Sequence, residues 1–364
     1  MESLRRVGLL LLAAAGLAGA LAVPLLPARA QTVDGIEQAW RSWMAKYSES
    51  SGGMVVLHAG QPVREVARGR AAVGAPVPLA SLSKAITGVC IANLIDRGRL
   101  SFDTPLSQAL ARTFARIGMP ADPRLLQVTI SQLLAHRAGF GGKEGSEPLA
   151  AYLRRNTAQR TAFDTQLRWL LPLRLASAPG ARYTYSNAGY TVLGAVIEEA
   201  SGRDYESYCR EEVLRPLGAR DAALDPAWRI MGSYGGWRMP LADYGRFYQA
   251  FALGNPAIGP VSRAWMMSPV GKQVGGGVHY GLGTLVRPTP VGGGNFWHWG
   301  AWSYNLPGAY DGPLRASYSS FAVRWGAMDV NIVVSNEPVL AEGKGQNELD
   351  GALNRAAGAV KSWP

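Results

Sequence analysis

The sequence predicts an α+β fold in which an antiparallel sheet, flanked by helices, is built from both ends of the chain. A strand–turn–strand pattern lies near the start, and four strand-like runs follow residue 275. The residues between are mostly helical in pattern. Strands that come first and last, with helices between them, favour this plan. We predict a sheet domain from 31–100 and 271–364, and an inserted, mostly helical domain from 101–270.

The first thirty residues are typical of a signal peptide. Arg5 and Arg6 precede a nearly apolar run over 7–26, and Ala28-Arg29-Ala30 is a cleavage signature. The apolar run approaches spanning length, so an uncleaved membrane anchor is the alternative. Two prolines and the small-residue site favour cleavage near Ala30. We therefore expect an exported protein, periplasmic or secreted, with no membrane span in the mature chain.

The elements that follow are readable from apolar spacing. Residues 36–47 fit an amphipathic helix, and 54–57 with 63–66 fit a hairpin. A helix begins near Ser81 and ends near Gly98, which is a typical C-terminal cap. Residues 139–148 read as a polar, Gly-rich loop. The later strand patterns cover 281–287, 294–304, 317–325 and 330–335, and a last helix covers 346–360.

Charge and ligand patterns narrow the possible partners. The chain carries a formal net charge of +11 at pH 7. Its arginines are scattered, with no dense basic run or binding motif, so we expect a solvated basic surface and no nucleic-acid partner. The four histidines show no metal-ligand spacing, and no C-x-x-C occurs. We expect no metal and no organic cofactor.

The chain has two cysteines, Cys90 and Cys209. Export permits a disulfide between them. Cys90, however, falls within an apolar helical run that includes Val89 and Leu94, where a free buried thiol is common. The pattern favours a free thiol and leaves the disulfide as the alternative.

Ser81-Leu82-Ser83-Lys84 is the first motif that carries chemistry. Positions i and i+3 of a helix share a face, so Lys84 would lie one turn above Ser81. A serine is a weak nucleophile until an adjacent base accepts its proton. The motif is short, so it needs partners. Two follow in the chain, Tyr185-Ser186-Asn187 and His298-Trp299-Gly300-Ala301.

This order of S-x-x-K, Y-x-N and H-x-G resembles the serine β-lactamase and penicillin-binding-protein superfamily. It is similar above all to the branch of class C β-lactamases, esterases and D-alanyl-D-alanine carboxypeptidases. Four further stretches resemble landmarks of that family, at 100–105, 133–139, 179–194 and 280–283. The resemblance covers nearly all of the chain after residue 30 and implies a β-lactamase/transpeptidase-like fold.

The resemblance implies catalytic roles for Ser81, Lys84 and Tyr185. Ser81 would attack a carbonyl and form an acyl-enzyme, near a helix N-terminus that favours developing negative charge. Lys84 and Tyr185 would form a coupled proton-transfer pair, in which either could be the base. Asn187 would hydrogen-bond Lys84 or a substrate amide. The backbone N–H groups of Ser81 and Ala301 would form the oxyanion hole.

His298 is the departure from the family pattern, since many members have Lys-Thr-Gly where this chain has His298-Trp299-Gly300. A permanent cation there attracts the carboxylate of a β-lactam or a D-alanine terminus. Histidine is mostly neutral at pH 7, which favours neutral esters or amides. The alternative is a structural histidine that is hydrogen-bonded beneath the site.

Alternation along the last motif assigns its side chains to two faces of a strand. Trp297 and Trp299 fall on the face opposite His298, packed on helices. Trp302 shares the face of His298 and would line the substrate pocket, if the strand continues past Gly300 without a bulge. We therefore predict substrate-binding roles for Asn187, His298, Gly300, Ala301 and Trp302.

Two other features of the sequence argue against other kinds of serine hydrolase. His136 looks like a triad histidine, but the family does not use it so, and we interpret it as structural. No G-x-S-x-G occurs, which argues against an α/β-hydrolase nucleophile. The prediction is an exported serine hydrolase that acts on small esters, amides or peptides through a Ser81 acyl-enzyme. A β-lactamase or D-alanyl-D-alanine carboxypeptidase is the first alternative, and a non-catalytic ligand-binding relative is the second.

Overall fold

The computed structural model describes residues 32–149, 151–152, 162–290, 293–306, 314–338 and 344–364. The predicted signal peptide, residues 1–30, lies outside the described residues. Helices α1 to α12 in this part of the chain are Val33–Lys46, Ser83–Asp96, Leu106–Ala109, Ala111–Ile117, Ile130–Leu134, Gly142–Ser146, Phe163–Leu170, Asn187–Ser201, Tyr205–Cys209, Leu241–Tyr248, Pro260–Met267 and Lys344–Gly358. Strands β1 to β11 are Ser51–His58, Gln61–Arg68, Val77–Pro78, Ala223–Leu224, Trp237–Met239, Gln273–Gly275, Val278–Gly281, Thr284–Pro288, Gly294–Leu306, Leu314–Trp325 and Val330–Glu337.

Both ends of the chain build one antiparallel sheet, as the order of patterns predicts. Its eight strands run β2-β1-β11-β10-β9-β8-β7-β6. The hairpin β1–β2 joins the later strands through β11, with Ser51 opposite Glu337 and His58 opposite Val330. Strand β9 pairs with β10 over 295–306 without a register shift. The strand therefore continues past Gly300 without a bulge.

Helices α1 and α12 cover one face of this sheet. Ile36 and Trp40 of α1 share a buried apolar cluster with Leu353 of α12 and with residues of β1, β10 and β11. Trp297 and Trp299 pack against this cluster, so strand alternation assigns them correctly to the face opposite His298. This face is structural.

The opposite face of the sheet carries the helical part of the chain. Helix α10 packs on β1 and β11, and the turn Ala80–Leu82 packs on β9 and β10. Helix α2 contacts α8, α9 and α11 and is buried over almost its whole length. A helix surrounded in this way has no solvent-facing polar side, which explains why apolar residues occur all around it. It ends at Asp96, and Gly98 follows with φ +69°, as expected of a C-terminal cap.

Cys90 and Cys209 form a disulfide, so the prediction of a free thiol at Cys90 is wrong. Helix α9 packs on α2 and brings the two Cα atoms to 5.7 Å, which is within bridging range. The apolar run around Cys90 indicated burial correctly. Burial suits a thiol and a disulfide equally, and only the packing of α9 distinguishes them.

Two shorter features also differ from the sequence expectation. The predicted loop 139–148 contains the helix Gly142–Ser146. The helical part also holds a small antiparallel sheet in the order β3-β5-β4. Its strands have two or three residues each, too few to show a period in the sequence. In the described part of the chain, no helix has the length and apolar character to cross a bilayer.

Candidate active site

Ser81 lies on a tight turn, Ala80–Leu82, that leads into α2 at Ser83. Ser81 therefore precedes the regular helix. The sequence pattern predicts instead that the helix begins near Ser81 itself. Ala80 has φ +47°, a left-handed conformation that strains a residue with a Cβ atom. Neighbouring bonds hold the turn, since Leu79 N–H donates to Trp237 O at 2.9 Å and Ser320 Oγ donates to Leu79 O at 2.7 Å. The nucleophile candidate is thus held in place by rigid elements.

Lys84 is the base candidate that the S-x-x-K spacing places beside Ser81. Its Nζ lies 3.0 Å from Ser81 Oγ and donates to Tyr234 O at 2.9 Å. The Lys84 side chain is fully buried, and this burial lowers its pKa well below 10.5, while the negative charge of Glu147 opposes the shift. An unprotonated amine at this position can accept the Ser81 proton.

Tyr185 lies beside this pair, as predicted. The centroid of its ring is 4.8 Å from Lys84 Nζ, and the rings of Tyr234 and Tyr190 lie at 5.6 and 5.7 Å. Ring faces attract an ammonium, whereas burial disfavours it. Lys84 Nζ thus lies among three tyrosine rings, next to Ser81 Oγ.

His136 positions the segment that carries Tyr185. Its Nδ1 accepts from Ser186 N–H at 3.1 Å, and its ring lies 4.4 Å from the Tyr185 ring. Burial, together with the charges of Lys84 and His298, lowers the pKa of His136 well below 6.5. A neutral, buried ring that supports the backbone fits the interpretation of His136 as structural.

Asn187 begins helix α8 and turns its amide toward Glu147. Its Nδ2 donates to Glu147 Oε2 at 2.5 Å, and the second Glu147 oxygen accepts from Leu149 N–H at 3.1 Å. The hydrogen bonds of Lys84 go to Ser81 and Tyr234, so the Asn187–Lys84 bond offered by the sequence is not among those that the described residues make. Glu147 was not predicted as a site residue.

His298 is held by hydrogen bonds on both sides of its ring. Nδ1 lies 2.5 Å from Trp299 O, and Nε2 lies 2.8 Å from the Tyr280 hydroxyl. A carbonyl only accepts, so Nδ1 carries the proton and Nε2 accepts from Tyr280. Burial lowers the pKa of His298 to about 3, and the charge of Lys84 acts in the same direction. His298 is therefore neutral, and its contacts match the structural alternative raised for it.

Gly300 allows β9 to pass directly against the nucleophile turn. A Cβ atom there would lie 2.9 Å from Ser81 N and 2.7 Å from Leu79 O, both rigid backbone atoms. Only glycine fits at this distance. Ala301 follows on β9, opposite Ser319 of β10. The backbone of β9 thus runs alongside Ser81.

Trp302 lies on the predicted side of β9. It is 5% exposed and packs on Tyr234 and Gly235, its ring centroid 6.3 Å from that of Tyr234. A Cβ atom at Gly235 would lie 2.5 Å from the indole. Trp302 thereby supports the segment whose Tyr234 carbonyl accepts from Lys84. That carbonyl is a site group which motif analysis missed.

The profile of the Beta-lactamase family matches residues 36–312. The chain belongs to the beta-lactamase family. Esterase EstB of Burkholderia gladioli is 32% identical over 177 residues, which are 47% of this chain and 42% of EstB. The D-alanyl-D-alanine-carboxypeptidase/endopeptidase AmpH of Escherichia coli K12 is 26% identical over 159 residues, 42% of this chain and 37% of AmpH. The matches thus span less than half the length of these curated relatives.

The fold of this beta-lactamase-family chain is shared with solved structures. A D-stereospecific amidohydrolase from Streptomyces superposes with a TM-score of 0.69 over 87% of this chain and 97% of that chain, at 18% identity. The family and the fold implied by the sequence motifs are thereby confirmed. Beta-lactamase-family proteins of this kind are serine hydrolases. In the described residues, no group of three or more His, Cys, Asp or Glu side chains is arranged to hold a metal ion.

Proposed function

We propose that the protein is an exported serine hydrolase that forms an acyl-enzyme at Ser81 and acts on small esters or amides. The observation that carries the proposal is the fully buried Lys84 Nζ, 3.0 Å from Ser81 Oγ. Because burial lowers the pKa of Lys84, an unprotonated amine is available to accept the serine proton. The contact counts against a non-catalytic ligand-binding relative.

The reaction proceeds in two acyl transfers. Ser81 Oγ attacks the carbonyl carbon while its proton passes to the Lys84–Tyr185 pair. The tetrahedral oxyanion is stabilised by the backbone N–H groups of Ser81 and Ala301, each worth about 3 kcal/mol in the transition state. The leaving group departs with the proton from the same pair. Water then attacks the acyl carbon and gives a proton to the same pair, which passes it to Ser81 Oγ as the ester bond breaks.

Neutral substrates fit the strand side of the site. His298 is neutral and bonded to Tyr280 and to Trp299 O, so it supplies no permanent cation for a substrate carboxylate. In the proposal, His298 and Gly300 shape the substrate cleft with Trp302, and Asn187 faces the acyl side. The similarity to esterase EstB points the same way.

A D-alanyl-D-alanine carboxypeptidase or β-lactamase is the second candidate. The observation that favours it is the similarity to AmpH, a D-alanyl-D-alanine-carboxypeptidase/endopeptidase. The two candidates share the Ser81 chemistry and differ in whether the substrate carries a carboxylate. Substrate comparison therefore separates them.

Export is supported by two independent features. The pattern of residues 1–30 is that of a signal peptide. The disulfide Cys90–Cys209 is typical of proteins that fold in an oxidising compartment. We also propose the division into a sheet domain of 31–100 with 271–364 and a helical domain of 101–270, since the large sheet draws its strands from both ends.

The test is a comparison of kcat/KM for p-nitrophenyl acetate, a D-alanyl-D-alanine peptide and nitrocefin. We expect the neutral ester to be turned over fastest, and Ser81→Ala to lower its hydrolysis by at least about 1,000-fold. Ser50→Ala, a matched change at an exposed serine, should leave the rate unchanged. Faster turnover of the peptide or nitrocefin would select the second candidate. Unimpaired hydrolysis by Ser81→Ala would exclude both.

A further inference from the structure

Glu147 is an acidic side chain at the site for which the mechanism above gives no role. It follows the short helix α6 and lies against the start of α8. Both of its oxygens are fixed, Oε2 by Asn187 Nδ2 at 2.5 Å and Oε1 by Leu149 N–H at 3.1 Å. The carboxylate therefore has a defined position instead of sampling solvent.

This contact determines how the Asn187 amide is oriented. An ionised carboxylate can only accept, so Asn187 must present its NH₂ group to Glu147 and its Oδ1 to the other side. Asn187 is 5% exposed, and no donor among the described residues reaches that Oδ1. A buried acceptor without a donor is costly unless a bound molecule supplies one. Glu147 thus keeps an acceptor available beside Tyr185.

The same carboxylate acts on Lys84 through its charge. The Glu147 charge raises the pKa of Lys84, against the effect of burial. Within the described residues, the other titratable groups that these contacts and charges place around Lys84 are two neutral histidines and three tyrosines, namely His136, His298, Tyr185, Tyr190 and Tyr234. Among these groups Glu147 is the one that carries a negative charge.

We propose that Glu147 is a positioning residue for the Ser81 site, which locks the Asn187 amide in one orientation and adds a negative charge that acts on Lys84. Its effect on the reaction is exerted through Asn187 and Lys84. The proposal rests on the proposed function, because its readouts are the reactions of Ser81.

Glu147→Gln tests both parts, because it keeps the shape and removes the charge. A glutamine can donate as well as accept, so it no longer fixes the Asn187 amide. We expect the plateau kcat/KM for p-nitrophenyl acetate to fall about tenfold. Loss of the negative charge lowers the pKa of Lys84 further, so its amine stays unprotonated to lower pH. In a plot of kcat/KM against pH, the acidic limb is the range where activity falls as Lys84 becomes protonated. This limb should therefore move down by about one pH unit.

The pH profile separates this role from a purely structural one. It is recorded from pH 4.5 to 9 both for kcat/KM and for the rate at which a fluorophosphonate labels Ser81. A structural defect lowers the plateau without moving the limb. Glu144→Gln, the same charge change within α6, should leave both unchanged. In an Asn187→Ala background, Glu147→Gln should lose its effect on the plateau and keep the shift of the limb.

An acidic limb that stays in place in a folded Glu147→Gln protein overturns the proposal, as does a full plateau loss in the Asn187→Ala background. Ser81→Ala is measured in parallel. If Ser81→Ala is inert and the Glu147→Gln profile is unmoved, only the role of Glu147 fails. If Ser81→Ala remains active, the proposed function itself fails.

Discussion

The candidate active site has two sides, one formed by the start of α2 and the other by β9. The polar side chains on these two sides differ in their hydrogen-bond partners. On the α2 side, Lys84 Nζ is buried against Ser81 Oγ at 3.0 Å. On the β9 side, both ring nitrogens of His298 are bonded to the protein itself. In the proposed function, proton-transfer chemistry is therefore concentrated at the start of α2, whereas β9 contributes shape and backbone. This difference is the basis on which we propose neutral carbonyl substrates.

Removing the amine of the α2 side should have the largest effect. Lys84→Met keeps the buried volume and deletes the base, and we expect kcat/KM to fall about 1,000-fold. The matched control is Lys272→Met. Burial lowers the pKa of Lys272 to about 7, but its Nζ lies 3.8 Å from the Trp265 ring centroid and not at Ser81. Equal losses in the two variants would show that placement beside Ser81 is not what matters.

Closing the gap between β9 and the turn should have the next largest effect. Gly300→Ala places a methyl group against Leu79 O and Ser81 N, so either β9 or the nucleophile must move. A displacement of this size costs about 100-fold in kcat/KM. Gly358→Ala is the control, since its Cβ atom would meet nothing within 4 Å. Steady-state kinetics with normal thermal unfolding checks the result, and an unimpaired Gly300→Ala would contradict the close approach.

Adding a cation to the β9 side should change selectivity instead of overall rate. His298→Lys should raise kcat/KM for a carboxylate-bearing ester relative to p-nitrophenyl acetate, by about tenfold. His298→Gln is the neutral control, because glutamine can still accept from Tyr280. The same selectivity in both variants would argue against charge as the basis for the preference.

The smallest effect on activity is expected at Cys90, in the middle of α2. The disulfide closes a sequence separation of 119 residues and ties α2 to α9. Cys90→Ala with Cys209→Ala should lower the free energy of unfolding by about 2–5 kcal/mol and leave kcat/KM at 25 °C unchanged. Denaturant unfolding and steady-state kinetics measure the two quantities. A large loss of activity in the folded variant would mean that the bridge also positions Ser81 and Lys84.

The parts of the fold that the sequence predicts are those with regular apolar spacing. The hairpin, the long strands β9 to β11 and the last helix lie where the patterns place them. Close approaches of the backbone can also be recognised in the sequence, because they require glycine. Gly283, in the landmark at 280–283, has φ +80°, and a Cβ atom there would lie 2.0 Å from Lys84 O. The segment 280–283 therefore packs directly against the backbone of α2 at Lys84.

The rest of the site depends on contacts that no local pattern encodes. Ser81 and Lys84 are three residues apart, so the tight turn that leads into α2 brings them together within one short segment. Glu147 meets Asn187 across 40 residues of chain, from a loop without a motif. Tyr234 contributes its carbonyl, and backbone groups carry no residue signature. The Cys90–Cys209 pairing likewise depends on how α9 docks on α2.

The most direct test of the account is the identity of the residue that a serine-reactive probe modifies. The protein is treated with a fluorophosphonate, digested, and mapped by mass spectrometry. The account predicts one stoichiometric adduct on Ser81, abolished by Ser81→Ala and strongly slowed by Lys84→Met. An adduct on another residue, or none on Ser81 while ester hydrolysis continues, would contradict it.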